Sequence, residues 1–253
     1  KIPVPSVLEQ QRVVRRINEC FMRLHEIEQL RLESIKQARF LESSLYAAIS
    51  ESGEWPRKTV GDVIETSGNG RSIPQDNENA NGFVLSLSSV HDVTLDFSAQ
   101  KPISMTDTIA NRYRISDGDV FVSRSNTRDL VGLSSVALNT PNARLIFPDL
   151  LIKLVANSSI ILPKFLAYVL RTPDCRRQIK DRAVGSSQSM VKISGARLKE
   201  IVIPVPPVDV QRSLIRHFDE LHDRASQLES GLQAVKQCPL RESILSKAFA
   251  GEL

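Results

Sequence analysis

Three short stretches carry side chains able to read or grip an anionic polymer. The first, Ser123-Arg124-Ser125-Asn126-Thr127-Arg128, follows a strand-like run from Asp119 to Val122 that is opened by the turn signal Asp117-Gly118. Arg and Asn are the side chains whose paired donors and acceptors match guanine and adenine edges in the major groove of a duplex. The second, Gly185-Ser186-Ser187-Gln188-Ser189 leading to Lys192, combines a glycine-loosened backbone with hydroxyls and an amide. Such a set suits phosphate oxygens or an adenine edge. The third, Ser67-Gly68-Asn69-Gly70-Arg71-Ser72, is flexible enough to order on binding. Each of the three also reads as a plain polar turn, and it is their number on one basic stretch that favours nucleic acid.

No catalytic constellation accompanies these loops. The chain has no Gly-Lys pair, which excludes a P-loop, and no Asp or Glu followed two residues later by Lys, which removes the usual metal motif of restriction nucleases. It lacks the Asn-Pro-Pro-Tyr type of motif of amino-methyltransferases, for which Asn139-Thr140-Pro141-Asn142 is no substitute, and it lacks H-E-x-x-H. Ser186 and Ser189 have no obvious His partner. His25, His91, His217 and His222 are scattered, and His217 and His222 are spaced wrongly for one helical face. Cys20, Cys175 and Cys238 are odd in number and form no C-x-x-C pair, so they read as ordinary thiols in a reducing cytoplasm rather than as a disulfide framework or zinc site. Neither a catalytic residue nor a metal site is expected.

The composition is that of a folded chain with a real core: 253 residues, 41% hydrophobic and 25% charged. Only 5% of residues are aromatic, and apolar runs such as Leu150 to Val155, broken by Lys153, are too short to cross a bilayer. The chain opens on Lys1 with no basic-then-apolar segment, which points to a fragment and gives no reason to expect export. Net charge is +4, and its placement says more than its size. Glu54 to Glu200 holds 19 Lys plus Arg against 15 Asp plus Glu, which leaves 14 of each elsewhere. Within that stretch Lys164, Arg171, Arg176, Arg177, Lys180, Arg182, Lys192, Arg197 and Lys199 face only Asp174 and Asp181 up to Lys199. A polyanion is the natural partner of such a surface, although a charge run also serves as a solvated helix face.

The elements that must position these loops follow from an internal repeat. Ile2-Pro3-Val4-Pro5-Ser6-Val7, followed by Gln10 and Arg15, returns as Ile203-Pro204-Val205-Pro206-Pro207-Val208, followed by Gln211 and Arg216, at an offset of 201. Glu42-Ser43-Ser44-Leu45 returns as Glu242-Ser243-Ile244-Leu245 at an offset of 200. Each copy reads as a long helix entered through prolines. The second places Leu214, Phe218, Leu221, Ala225, Leu228, Leu232 and Val235 on an unbroken heptad seam; the first gives Ile17, Phe21, Leu24, Glu28, Arg31, Ile35, Ala38, Glu42, Leu45 and Ile49, a leakier one. Pro239 should kink the second helix before a terminal piece that stops at Gly251. Roughly 40 residues make a rod of about 60 Å, longer than one small core needs, so the two helices are expected to pair as an antiparallel coiled coil, within the chain or between chains. An ordinary helical hairpin capping the core is the alternative.

Between the helices the pattern changes to short apolar or β-branched runs, Thr59 to Ile64, Gly82 to Leu87, Asp119 to Ser123, Ser134 to Leu138 and Leu151 to Val155, separated by Gly, Asn, Asp and Pro. One helix is signalled by Pro163 and the shared face of Phe165, Leu166, Val169 and Leu170, with the arginines and lysines from Arg171 to Arg182 in and after it. The expected fold class is α+β, a mixed α/β recognition domain with a twisted β-sheet over residues 54–202, inserted between helical regions 1–53 and 203–253.

The two IPVP-led helices, the strand bearing Gly118-Asp119-Val120, the stretch Gly185-Ser186-Ser187-Gln188 and the ending Ser243-Ile244-Leu245-Ser246-Lys247-Ala248-Phe249-Ala250-Gly251-Glu252-Leu253 together resemble the specificity subunit of Type I restriction-modification enzymes. The resemblance covers the whole chain, with one target-recognition domain where the family usually has two, so the chain looks like a carboxy-terminal half or a half-subunit. It implies a non-catalytic subunit in which the recognition domain reads one half of a bipartite target in double-stranded DNA and the coiled coil sets the spacing between halves. It further implies that the helices dock methyltransferase subunits, which carry S-adenosylmethionine, and that a restriction-translocase subunit joins that assembly. This chain itself would hold no cofactor, and two copies could pair as a homodimer. Carried over residue by residue, the DNA contacts fall at Arg71, Arg124, Asn126, Arg128, Gln188 and Lys192. Two rival readings stay open: an assembly scaffold whose middle domain binds protein, and a methyltransferase fragment, for which the expected motifs are missing.

Overall fold

The computed structural model describes residues 6–51, 53–141, 143–187, 190–237 and 240–250, without the side chains of 186–187, 232–237, 240–241 and 248–250. Its elements begin with α1 (Val7–Glu51), β1 (Arg57–Thr59), α2 (Val60–Val63), β2 (Ile64–Asn69), β3 (Gly82–Leu85), β4 (Gln100–Ile103), α3 (Asp107–Arg112) and β5 (Asp119–Ser123). There follow β6 (Ser125–Asn126), β7 (Ser134–Val136), β8 (Leu145–Ile146), β9 (Leu151–Ala156), α4 (Pro163–Val169), α5 (Pro173–Arg182), β10 (Val184–Ser187) and β11 (Met190–Lys192). The last are α6 (Gly195–Lys199), β12 (Val202–Pro204), α7 (Val208–Gln237) and α8 (Leu240–Ala250). The chain divides into two units, Lys1–Ser44 with Phe218–Leu253, and Leu45–His217.

The larger unit holds all the strands. They form four small sheets, β2-β9-β5-β7, β4-β3-β8, β10-β11-β6 and β1-β12, within the mixed α+β class expected. Among the described strand pairs only β3 with β8 is parallel, beside one isolated parallel bridge between Thr94 and Val136. All five residues of β5 are buried, as befits a strand flanked antiparallel by β9 and β7. At the core, the Phe121 ring meets Phe147 edge-on at 5.1 Å between centroids, with Leu85, Leu95, Ile115, Leu145 and Leu151 packed around them.

Two expectations at element level are corrected. Thr59 to Ile64 reads as a strand by composition, yet Thr59 accepts from the Asp62 N–H at 3.3 Å while the Asp62 carboxylate accepts from the Thr59 N–H at 2.9 Å. That reciprocal capping box turns Val60–Val63 into a single helical turn between β1 and β2. The basic helix after Pro163 is two helices, because Pro173 starts α5 in its first turn and cannot continue α4.

The second copy of the repeat is built into this unit. Ile203 and Pro204 lie in β12, which pairs with β1 in the register Arg57↔Pro204 and Thr59↔Val202. Gln211 is fully buried: its Oε1 accepts from the Leu162 N–H at 2.8 Å, and its Nε2 donates to the carbonyls of Ile160 at 2.9 Å and Pro206 at 2.8 Å. Gln10, its counterpart in the first copy, is exposed.

The two long helices follow the predicted seams. Every seam position of α1 from Ile17 to Ile49 is half-buried or buried, and the same holds in α7 from Leu214 to Leu228. Leu232 and Val235 fall outside the described side chains, and Pro239 outside the described residues. The polar seam residue Arg31 donates to the Gly231 carbonyl. Arg39 Nε donates to Glu229 at 3.0 Å. The higher-numbered arginine meets the lower-numbered residue of α7, as antiparallel packing requires. Among the described residues no helix is long and apolar enough to cross a membrane.

Candidate nucleic-acid interface

Arg124 is fixed by its backbone between two other segments. Its N–H donates to the Leu150 carbonyl at 2.7 Å, and its carbonyl accepts from the Ile193 N–H at 2.9 Å. The next two residues form β6, which pairs with β11 in the register Ser125↔Lys192 and Asn126↔Val191. β11 in turn pairs with β10, with Val184 opposite Lys192, in the sheet order β10-β11-β6. Gln188 itself falls outside the described residues. Gly185 is required there, since a Cβ would stand 2.5 Å from the Met190 carbonyl oxygen.

The third loop reaches the same place from the other side. The Gly70 N–H donates to Leu151 at 3.3 Å, the Arg71 N–H donates to Phe147 at 3.0 Å, and the Ser72 hydroxyl donates to the Asp149 carboxylate. A Cβ on Gly70 would lie 2.2 Å from the Phe147 carbonyl oxygen, so only glycine permits this approach. The Arg124 guanidinium donates to the Asp149 carbonyl at 3.3 Å. Phe147–Leu151 is thus the node onto which the Arg71 and Arg124 loops both fasten, and β11 adds Lys192 beside Arg124. Arg71, Arg128 and Lys192 are exposed, and Arg124 and Asn126 are half-buried.

Sequence reasoning missed this node. Its signal was the turn pair Pro148-Asp149 ahead of a strand, which reads as punctuation and carries no sign of partners so distant in the chain. The expectation for Asn126 also changes in detail. Its Oδ1 accepts from the Thr127 N–H at 2.8 Å, which closes the loop and occupies a lone pair on the acceptor that an adenine contact would use.

The basic run from Lys164 to Lys199 is largely engaged by the protein itself, contrary to its reading as an open polyanion surface. Arg176 donates to the carbonyls of Val131 at 2.6 Å and Asp129 at 2.8 Å, and burial pushes its pKa down to about 10, with help from the neighbouring Arg171. Arg171 donates to Ser134 and His91 carbonyls, and Arg197 to that of Arg182. Arg177 pairs with Asp174, Arg182 with Glu200, and Lys180 with Asp129, whose carboxyl is held below its ordinary range chiefly by that ammonium's hydrogen bond. Much of the charge visible in the sequence therefore ties α5 to the loop after β6. The thiol of Cys175, on the same helix, is raised to about 12 by burial, as suits a core residue. A polar hollow of about 600 Å³ against Asn111, Arg114, Thr140 and Arg144 lies by the opposite end of β5 from Arg124.

A mixed α+β domain with two basic loops fastened to one turn at the end of a buried strand is what this arrangement defines, and comparison with known proteins gives its family. The profile of the Type I restriction modification DNA specificity domain matches residues 52–237, so the chain belongs to that family, the non-catalytic specificity subunits of these systems. Over its whole length the chain is 24% identical to the Type I restriction enzyme EcoKI specificity subunit of Escherichia coli K12 and 25% identical to the StySPI specificity subunit of Salmonella potsdam, covering 57% of each. The HsdS subunit from Thermoanaerobacter tengcongensis shares the fold, with a TM-score of 0.66 at 22% identity, 100% of this chain and 61% of that one being covered. The chain thus spans about three-fifths of the length of these relatives.

Proposed function

We propose that this chain is a half-subunit that reads one half of a bipartite target in double-stranded DNA, through Arg71, Arg124, Arg128 and Lys192, with Asn126 and Gln188 in the same loops. The observation that carries the reading is the convergence of the Arg71 and Arg124 loops, distant in sequence, on the Phe147–Leu151 turn, with the β6–β11 pairing next to Arg124. Exposed guanidinium and ammonium groups there suit phosphate and guanine contacts, and the rigid strands behind them supply register. In this reading the domains run 1–53, 54–202 and 203–253, and the paired helices form a coiled coil that sets the distance between half-sites. The helices also dock methyltransferase subunits, which bring S-adenosylmethionine, and the restriction-translocase subunit joins them. The chain binds no cofactor of its own and works in the cytoplasm, where the duplex is found. Apolar side chains left exposed on α1, among them Leu8, Met22, Leu30 and Phe40, support the docking role.

The test is selection of duplexes from a random pool by the full chain with and without a methyltransferase subunit. A short enriched motif is expected, with binding that weakens as salt rises; purely non-specific, salt-sensitive binding would overturn the proposal.

A further inference from the structure

Asp149 is an exposed carboxylate in the middle of this basic site. Its surroundings make it unusual. Ser72 holds Oδ1, the Arg124 guanidinium sits at its backbone carbonyl, and among the described residues Oδ2 has no hydrogen-bond partner. The turn does not depend on the charge: the Leu151 N–H donates to the Pro148 carbonyl at 3.1 Å, and the Gly70, Arg71 and Arg124 N–H groups close the node through backbone carbonyls. A neutral acceptor would serve the Ser72 hydroxyl equally well. A carboxylate placed where a polyanion docks repels every phosphate that approaches, and that repulsion must be offset by a donor on the ligand.

In the major groove the donors are exocyclic amino groups, the 4-amino group of cytosine and the 6-amino group of adenine. The guanine edge and the thymine O4 present acceptors only. On the strength of the DNA reading above, we infer that Asp149 is a specificity-determining residue whose free oxygen accepts a hydrogen bond from an exocyclic base amino group. Ser72 fixes the rotamer of the carboxylate, and Arg124, anchored to the same residue's backbone, stands ready for a neighbouring guanine or phosphate. An acceptor and a bidentate donor held on one turn read adjacent bases of opposite hydrogen-bonding sense. A guanine or thymine edge facing Oδ2 is rejected because two acceptors meet.

The experiment compares the full wild-type chain with Asp149→Asn, which keeps an oxygen for Ser72 and removes the charge, in selection from a random duplex pool. The wild type should enrich cytosine or adenine at one position where Asp149→Asn, whose amide NH2 stands in place of the free oxygen, loses that preference or turns to guanine or thymine, and the variant should bind random duplex several-fold more tightly at low salt. Duplexes lacking the amino group of the selected base, made with the 4-deamino pyrimidine or the 6-deamino purine, then identify which base donates. Their loss should weaken the wild type on the order of tenfold. An unchanged motif in Asp149→Asn, or equal loss in both proteins on removing the amino group, would show that Asp149 only shapes the loop, with the DNA reading intact. Should the variant fail to fold, the deaminated duplexes with wild type decide alone, and no effect at any position overturns the inference. A wild type that enriches no motif removes the DNA reading and this inference together.

Discussion

Arg124 and Arg176 carry the same charge and have opposite surroundings. Arg124 makes one long side-chain hydrogen bond at the surface, whereas Arg176 sits against two carbonyls in a setting dry enough to depress its pKa. Replacing Arg176 by Ala strands the Val131 and Asp129 carbonyls and should lower unfolding stability by about 2–3 kcal/mol. The salt dependence of DNA binding should then be unchanged. Arg124→Ala should shift the urea midpoint by no more than about 0.5 kcal/mol equivalent. It should cost roughly 1–3 kcal/mol in DNA affinity and relax the motif at one position. Urea titrations and quantitative binding at several salt concentrations separate the two, and the reverse pattern would exchange their roles.

At the scale of elements, the two copies of the repeat are alike in sequence and unlike in setting. The buried Gln211 ties the start of α7 to the segment before α4 through two hydrogen bonds, with Leu162 and Ile160, and makes a third to Pro206, while Gln10 is exposed. Gln211→Ala leaves the Leu162 N–H and two carbonyls without that partner and should destabilise the larger unit by about 2–4 kcal/mol. Gln10→Ala should change stability by less than about 0.5 kcal/mol. Thermal unfolding of the two variants side by side is the measurement, and equal losses would refute the asymmetry. The heptad reading of both helices needed no such context, because burial of a helix stripe depends on local spacing alone.

For the whole molecule, stability should fall on the acid side. Asp62 is held below the ordinary carboxylate range by hydrogen bonds from the Thr59 hydroxyl and N–H, Asp96 by those from the Ser98 hydroxyl and N–H, and Asp129 by the Lys180 ammonium. A carboxyl whose pKa is lowered on folding binds fewer protons in the folded than in the unfolded state near its titration. Its contribution is therefore complete above the unfolded value and lost as pH falls through the folded one. Urea midpoints should be flat from about pH 6 to 8 and decline below about pH 4, the ordinary range of aspartate. A decline beginning near neutrality would contradict this assignment to the aspartates.

The seams of α1 and α7, the strand at Asp119–Ser123, the paired prolines of the repeat and the polar loops around Arg71 and Arg124 were legible from residue types and spacing. These features rest on interactions within a few residues, such as period, turn chemistry and proline geometry, which the chain carries wherever it goes. The tertiary structure decided the rest. It drew Arg171 and Arg176 into contacts with distant carbonyls where composition reads open charge. It also fastened the Arg71 and Arg124 loops to the turn that carries Asp149, with Lys192 on the neighbouring β11. Those outcomes depend on which N–H meets which carbonyl between segments far apart in the chain, and only strand register and core packing fix that choice.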